Sequence, residues 1–171
     1  MLVFKKLDKR ISDTDMDILL KASLDKDRVW KEAHASEIEK INDGCINQSD
    51  PFILYYNHDP IFDSIANKLT EEHNISHKTI LAKTFKNNMH PPHADRSRNY
   101  SLYIPIYPNM HDYAPMTFYH DNELHYINNF DPGAVYLVNH KVMHSVFNFT
   151  DYDRYNLQIT LRTEEDALPF I

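Results

Sequence analysis

Apolar side chains along this chain follow two periods in turn. Before Ser76 they recur every three to four positions, which is one face of a helix; after it they alternate, which is one face of a strand. Residues 1–6 form a short apolar-basic entry suited to an edge strand. Ser12 or Asp13 caps a helix whose apolar positions are Met16, Ile18, Leu19, Leu20 and Leu24. Residues 29–41, with Trp30, Ala33, Ile38 and Ile41, predict a second helix or a partly irregular segment. A polar loop follows over 42–51, then a strand over 52–56. Pro60 suits a first helical turn, and Ile61, Ile65 and Leu69 carry that helix to about His73.

The alternating half predicts strands over 79–85, 100–107, 116–119, 123–128, 134–138, 144–149 and 154–162, and a tail over 163–171 without a clear element. Asp121-Asn122 reads as the turn of a hairpin and Asp131-Pro132-Gly133 as a second turn. Glycine occurs only at Gly44 and Gly133, so Asn and Asp are expected to serve the turns. In the last strand Arg154, Asn156, Gln158 and Thr160 share one face, and Tyr155, Leu157, Ile159 and Leu161 the other. An ordinary amphipathic strand turns such a polar face to water. A barrel holding a polar ligand turns it into the mouth, with the apolar face on the helices. The pattern alone permits both. Helices first and strands afterwards predict an α+β architecture, with helices backing a β-sandwich or barrel.

Composition narrows the function. A chain of 171 residues is expected to be one domain, with 1–78 as mainly helical support and 79–162 as the β core. The net charge of -7 argues against a nucleic-acid surface, which needs a basic face. Cys45 is the one cysteine and cannot close an internal disulfide, which favours a reducing compartment. Residues 1–10 carry Lys and Arg with no apolar run behind them, and no stretch approaches a membrane span. The expectation is a cytoplasmic protein that binds neither nucleic acid nor membrane, of unknown oligomeric state.

The chemistry centres on His93-Ala94-Asp95. In an extended chain, residues two apart point the same way, so this pair offers one imidazole and one carboxylate to one side. His144 can supply a second imidazole. Two His and one carboxylate on one face of an octahedron leave three positions open, the arrangement of non-haem Fe(II) oxygen chemistry. Arg154 follows His144 by ten residues, across a tight turn. If the two strands are antiparallel neighbours, Arg154 reaches the same cavity, where a guanidinium can clamp a carboxylate with two parallel hydrogen bonds.

Three stretches carry a family resemblance over residues 79–161. They are Pro92-His93-Ala94-Asp95, Asp131-Pro132-Gly133-Ala134-Val135-Tyr136, and His144-Ser145-Val146-Phe147-Asn148 running on to Arg154. In these the chain resembles 2-oxoglutarate/Fe(II)-dependent dioxygenases of the double-stranded β-helix (jelly-roll, cupin-like) type. The branch it resembles is that of the aspartyl/asparaginyl β-hydroxylases and the bacterial cis-proline hydroxylases. The resemblance implies that His93, Asp95 and His144 bind Fe(II), that Arg154 holds the distal carboxylate of the cosubstrate 2-oxoglutarate, and that O2 takes the remaining position. It further implies N-terminal helices packed on one sheet, and a product set of succinate, CO2 and a hydroxylated substrate. Halogenating relatives lack the carboxylate, so Asp95 implies hydroxylation. The aspartyl/asparaginyl β-hydroxylases proper lack it too, which sets this chain nearer the amino-acid hydroxylases.

Other candidates have competing readings. His90 rivals His93 as ligand, and Arg162 rivals Arg154 as anchor. His140 precedes His144 by four residues, a zinc-like spacing on a helix, but 134–138 reads as strand. Arg96 and Arg98 are candidates for a substrate carboxylate, His120 for the pocket lining, and Asn148 and Ser145 for orienting His144. His58, His73, His77, His111 and His125 read as surface residues. The expected function is hydroxylation of an amino acid or of an aspartyl, asparaginyl or prolyl side chain, on a small molecule or a peptide. The alternative is a cupin-like metal- or ligand-binding module, or a sugar isomerase, without oxygenase activity.

Overall fold

The computed structural model describes residues 1–33, 54–73, 75, 77–95, 98–107, 114–128 and 130–171. Their elements, in order, are β1 (Phe4–Arg10), α1 (Asp13–Leu24), β2 (Lys31–Ala33), β3 (Leu54–Asn57), α2 (Pro60–Thr70), β4 (His77–Thr84), β5 (Asn88–His93), β6 (Tyr100–Tyr107), β7 (Met116–His120), β8 (Glu123–Ile127), β9 (Ala134–Asn139), β10 (Met143–Asn148) and β11 (Arg154–Leu161). Both helices begin at side-chain caps. The Ser12 hydroxyl accepts from the Asp15 amide at 3.1 Å, and the Asp59 carboxylate accepts from the Ile61 amide at 3.0 Å, with Pro60 in the first turn of α2. The buried Asp15 carboxylate also accepts from Lys68 Nζ at 2.7 Å, which joins α1 to α2.

The strands form two antiparallel sheets. The larger has the order β1-β9-β6-β11-β4-β3-β2 and the smaller the order β5-β10-β7-β8. From β4 to β11 the chain visits larger, smaller, larger, smaller, smaller, larger, smaller, larger. This is the double-stranded β-helix, an α+β jelly roll. Its helices pack on one sheet: Leu19, Phe62 and Ile65 meet Leu81, Leu102, Ile104, Leu157 and Ile159 of the larger sheet in one core. Each such side chain, fully buried, contributes on the order of 1.5–3 kcal/mol. A second core, with Tyr103, Met116, Phe118, Phe130, Tyr136 and Val138, fills the space between the sheets.

Several expectations need correction. Residues 31–33 are strand rather than helix, because they pair with β3, and residues 34–53, including most of the predicted second helix and Cys45, lie outside the described residues. The tail has an element, a 3-10 helix over Glu165–Phe170. Thr163 and Asp166 cap it reciprocally, each side chain accepting from the other's amide at 3.1 and 2.9 Å, and Ala167 and Phe170 are buried. Residues 88–93 are strand despite Pro91-Pro92, since β5 is an edge of the smaller sheet and one side needs no ladder donors. The first strand runs longer than expected, over Phe4–Arg10, and does sit at a sheet edge. Asn and Asp do take the left-handed turn positions, with φ of 52° at Asn87, 53° at Asp121 and 63° at Asn122. No helix among the described residues is long and apolar enough to cross a membrane.

Candidate metal centre and carboxylate anchor

The register of the smaller sheet sets His93 of β5 opposite His144 of β10. Their rings lie 4.3 Å apart between centroids. Past the end of β5, the Asp95 amide donates to the His140 carbonyl at 2.9 Å, which brings the Asp95 side chain back to the pair. Asp95 Oδ1 is then 3.7 Å from His93 Nε2, and one ligand atom from each of His93, Asp95 and His144 lies within 4.8 Å of the other two. His144 Nδ1 sits 2.9 Å from the Val142 carbonyl. A ring donating there keeps its proton on Nδ1 and presents the Nε2 lone pair. Burial, with His93 adding to it, pushes the His144 pKa down to about 3, so the ring is neutral. Burial pushes the Asp95 carboxyl up, but Arg98, His144 and His93 outweigh it and hold the carboxyl below its ordinary range. Two imidazoles and one carboxylate in this arrangement fit a divalent ion with N/O preference.

The two oxygens of Asp95 face different ways. Oδ1 faces His93, while Oδ2 accepts from Arg98 Nε at 2.7 Å and Nη2 at 2.5 Å. Arg98 also donates from Nη1 to Gln158, and Gln158 donates to Asn156 at 2.9 Å. The polar face of β11 therefore looks into the site and not to water, and its apolar face joins the helix core. Arg98 is thus paired with the Asp95 carboxylate.

Arg154 is fully buried at the start of β11. Strands β10 and β11 are not the antiparallel neighbours expected; they lie in different sheets, and the turn between them crosses from one to the other. That crossing brings Arg154 under β10. Its Nη1 donates to the Phe147 carbonyl at 2.9 Å and the Ala114 carbonyl at 3.2 Å, and its Nη2 to the Tyr103 hydroxyl at 2.6 Å. Its Nε is buried with no hydrogen-bond partner among the described residues. An orphaned guanidinium N–H beside a tyrosine hydroxyl that can donate fits a carboxylate. Burial lowers the His90 pKa well below the ordinary value, and His93, Arg154 and His144 each lower it further.

Other sequence candidates fall elsewhere. Asn148 ties the β4 and β10 ends together, donating to the carbonyls of Thr84, Phe85 and Tyr152 at 3.1, 2.9 and 2.9 Å, and does not orient His144. Ser145 is buried next to His144 in sequence, so alternation turns it to the opposite face of β10. His120 sits at the hairpin tip, 3.3 Å from Asp121. Arg162 is exposed beyond β11, and Arg96 lies outside the described residues. Sequence reasoning set His140 aside and missed Tyr103. The alternation of β6 carried the signal for Tyr103, since Leu102, Ile104 and Ile106 pack on the helices and leave Tyr103 facing inward. For His140, a tight turn between β9 and β10 brings together the same four-residue spacing that a helix would.

No family model matches this chain, and no curated protein matches it in sequence. Among solved structures it is similar to a Trichoplax adhaerens prolyl hydroxylase in complex with a hypoxia-inducible factor oxygen degradation domain peptide fragment. The TM-score is 0.65 at 12% identity, covering 96% of this chain and 86% of that one. It is also similar to an oxidoreductase of the 2OG-Fe(II) oxygenase family from Burkholderia pseudomallei, with a TM-score of 0.56 at 13% identity, covering 88% and 78%. At these identities the likeness is one of fold, and it agrees with the strand order: the chain is a double-stranded β-helix with helices packed on its larger sheet.

Proposed function

We propose that this protein is an Fe(II)- and 2-oxoglutarate-dependent hydroxylase of an amino acid or of an aspartyl, asparaginyl or prolyl side chain, giving succinate and CO2. The observation that carries the reading is the pairing of a His93–Asp95–His144 cluster with a buried Arg154 whose Nε has no hydrogen-bond partner among the described residues. In this reading His93, Asp95 and His144 hold the iron, and Arg154 and the Tyr103 hydroxyl hold the distal carboxylate of 2-oxoglutarate. Bound iron would supply the O2 chemistry that couples loss of CO2 from 2-oxoglutarate to hydroxylation of a C–H bond. The chain's own residues do the rest. The Val142 carbonyl fixes the His144 tautomer, Arg98 holds Asp95 in its charged form, and Tyr103 and Phe130 wall the Arg154 guanidinium off from water. Asp95 favours hydroxylation over halogenation, as the sequence resemblance implies. A peptide substrate is in keeping with the fold, since the similar Trichoplax adhaerens enzyme is bound to one.

The test has two parts. Anaerobic titration of the Fe(II)-loaded protein with 2-oxoglutarate is expected to raise a visible charge-transfer band, and in air succinate release is expected to depend on one of a panel of amino acids and short peptides. Failure of the band in wild-type protein that binds Fe(II) would turn the reading to a cupin-like metal-binding module, which has no use for a buried carboxylate clamp.

A further inference from the structure

His140 is the side chain the proposed chemistry leaves over. It is 2% exposed, in the turn between β9 and β10, and adjoins the His93–Asp95–His144 cluster without being one of its three residues. Its Nδ1 lies 3.4 Å from Asp95 Oδ2 and 3.4 Å from His144 Nε2. Its Nε2 lies 2.7 Å from the hydroxyl of Ser101, which is fully buried on β6. The backbone of the same residue is also committed to the site: the His140 carbonyl accepts from the Asp95 amide at 2.9 Å, and the His140 amide donates to the Asn99 carbonyl at 2.8 Å.

These contacts fix the tautomer. A neutral imidazole has one N–H and one lone pair. A lone pair at Nδ1 would face the Asp95 carboxylate and the His144 lone pair together, three acceptors with no proton among them. A proton at Nδ1 resolves this: in the metal-free protein it lies between His144 Nε2 and Asp95 Oδ2, a metal on His144 Nε2 would leave it to Oδ2, and the Ser101 hydroxyl donates to Nε2.

We propose, building on the metal-centre reading, that Ser101 and His140 form a positioning pair for the metal: Ser101 holds His140 with its N–H at Nδ1, and that N–H, beside Arg98, occupies Asp95 Oδ2 so that only Oδ1 is offered to the metal. A carboxylate with both oxygens free can chelate and close a coordination position. One with Oδ2 held from two sides binds through a single oxygen and leaves that position for ligands. Arg98 approaches Oδ2 from β6's leading loop and His140 from the β9–β10 turn, so the carboxylate cannot rotate toward either side without losing a donor.

The experiment uses Co(II) alone as probe, without cosubstrate, because its visible d–d bands report coordination number as well as occupancy. Wild type is expected to bind one Co(II) with a weak six-coordinate spectrum. His140→Leu, which removes the donor, is expected to bind roughly tenfold or more weakly, within the range seen for groups that hold a metal ligand from behind, and with an altered band shape. His140→Asn, which returns an N–H donor near the Nδ1 position, is expected to recover most of the affinity and the wild-type spectrum. Ser101→Ala, a milder change that leaves the ring in place, is expected to fall between. Wild-type affinity and spectrum in both His140→Leu and Ser101→Ala would overturn the proposal, as would equal losses in His140→Leu and His140→Asn, which would mean a packing role only. Failure of the underlying reading looks different: Co(II) binding in His93→Ala equal to that of wild type.

Discussion

The two sheets are built to the same strand geometry but the rest of the chain treats them differently. The larger sheet is covered on its outer face by α1, α2 and the 3-10 turn at the C-terminus, which bury Leu19, Phe62, Ile65 and Phe170 against it. The smaller sheet leaves Met89, Tyr119, Leu124, Tyr126 and Met143 exposed. Conversely, the smaller sheet carries both histidines of the candidate metal cluster, on β5 and β10, and the larger sheet carries the proposed anchor Arg154 on β11. Stability and chemistry are thus divided, and they meet on β11, whose apolar face belongs to the helix core and whose polar face belongs to the site. A substitution on one face of that strand should do what a substitution on the other does not.

The sharpest way to break this division is His93→Ala, at the end of the smaller sheet's edge strand. It is expected to abolish stoichiometric Fe(II) binding and all 2-oxoglutarate-dependent turnover while the metal-free protein melts within a few degrees of wild type. Calorimetric metal titration and a circular-dichroism melt check it; a collapse of the fold would merge the two roles. Leu157→Ala tests the other side. Leu157 is fully buried in the helix core, so its truncation is expected to cost about 2–5 kcal/mol in urea unfolding, with metal affinity of the folded protein unchanged.

Arg154→Ala probes the strand where the roles meet. Loss of hydrogen bonds to a charged group, each worth roughly 1.5–3 kcal/mol, is expected to weaken 2-oxoglutarate binding by about ten- to a hundredfold. Arg154→Lys should recover part of it, since charge remains while the fork is lost. Equal affinity in wild type and Arg154→Ala, read from the anaerobic charge-transfer titration, would move the anchor to another residue.

A smaller effect is expected with pH. Burial lowers the pKa of His90 and His140 well below 6.5 in the folded protein, and that of His144 to about 3. Below pH 6.5 the unfolded chain therefore binds more protons than the folded one, so stability falls as pH falls, by up to about 1.4 kcal/mol per pH unit for each such ring. Chemical unfolding of the metal-free protein between pH 7.5 and 5 should show this slope. His140→Asn should flatten it, and a slope of opposite sign would show that these rings are not neutral in the fold.

Much of this was legible in the residues alone. Alternation over 79–162 located seven of the β-core strands, and the split of the last strand into Arg154-Asn156-Gln158-Thr160 and Tyr155-Leu157-Ile159-Leu161 is the division just described. The pattern could not say which face met water, because period two records that two faces differ and not what lies against each. The His-x-Asp pair and the distant His were visible as residue types, since metal chemistry restricts them narrowly. Their meeting was not visible, because it depends on the β5–β10 register, and register is a property of two strands together. Strand β5 itself was hidden by Pro91-Pro92, which only its edge position makes tolerable.

The sequence by itself therefore determined the inventory: which positions are apolar, which turns take Asn or Asp, and which side chains can hold a metal or a carboxylate. Only the tertiary structure decided the neighbours. It put Arg154 in a different sheet from His144 yet under the same strand, and gave one Asp95 oxygen to His93 and the other to Arg98. It also brought His140, set aside in the sequence because the strands forbade a helix spacing, up to the cluster through a turn. The physical reason is the same in each case. Local chemistry is written in single residues and short periods, whereas contacts between sheets are fixed by how two surfaces pack, and no short stretch of sequence carries that.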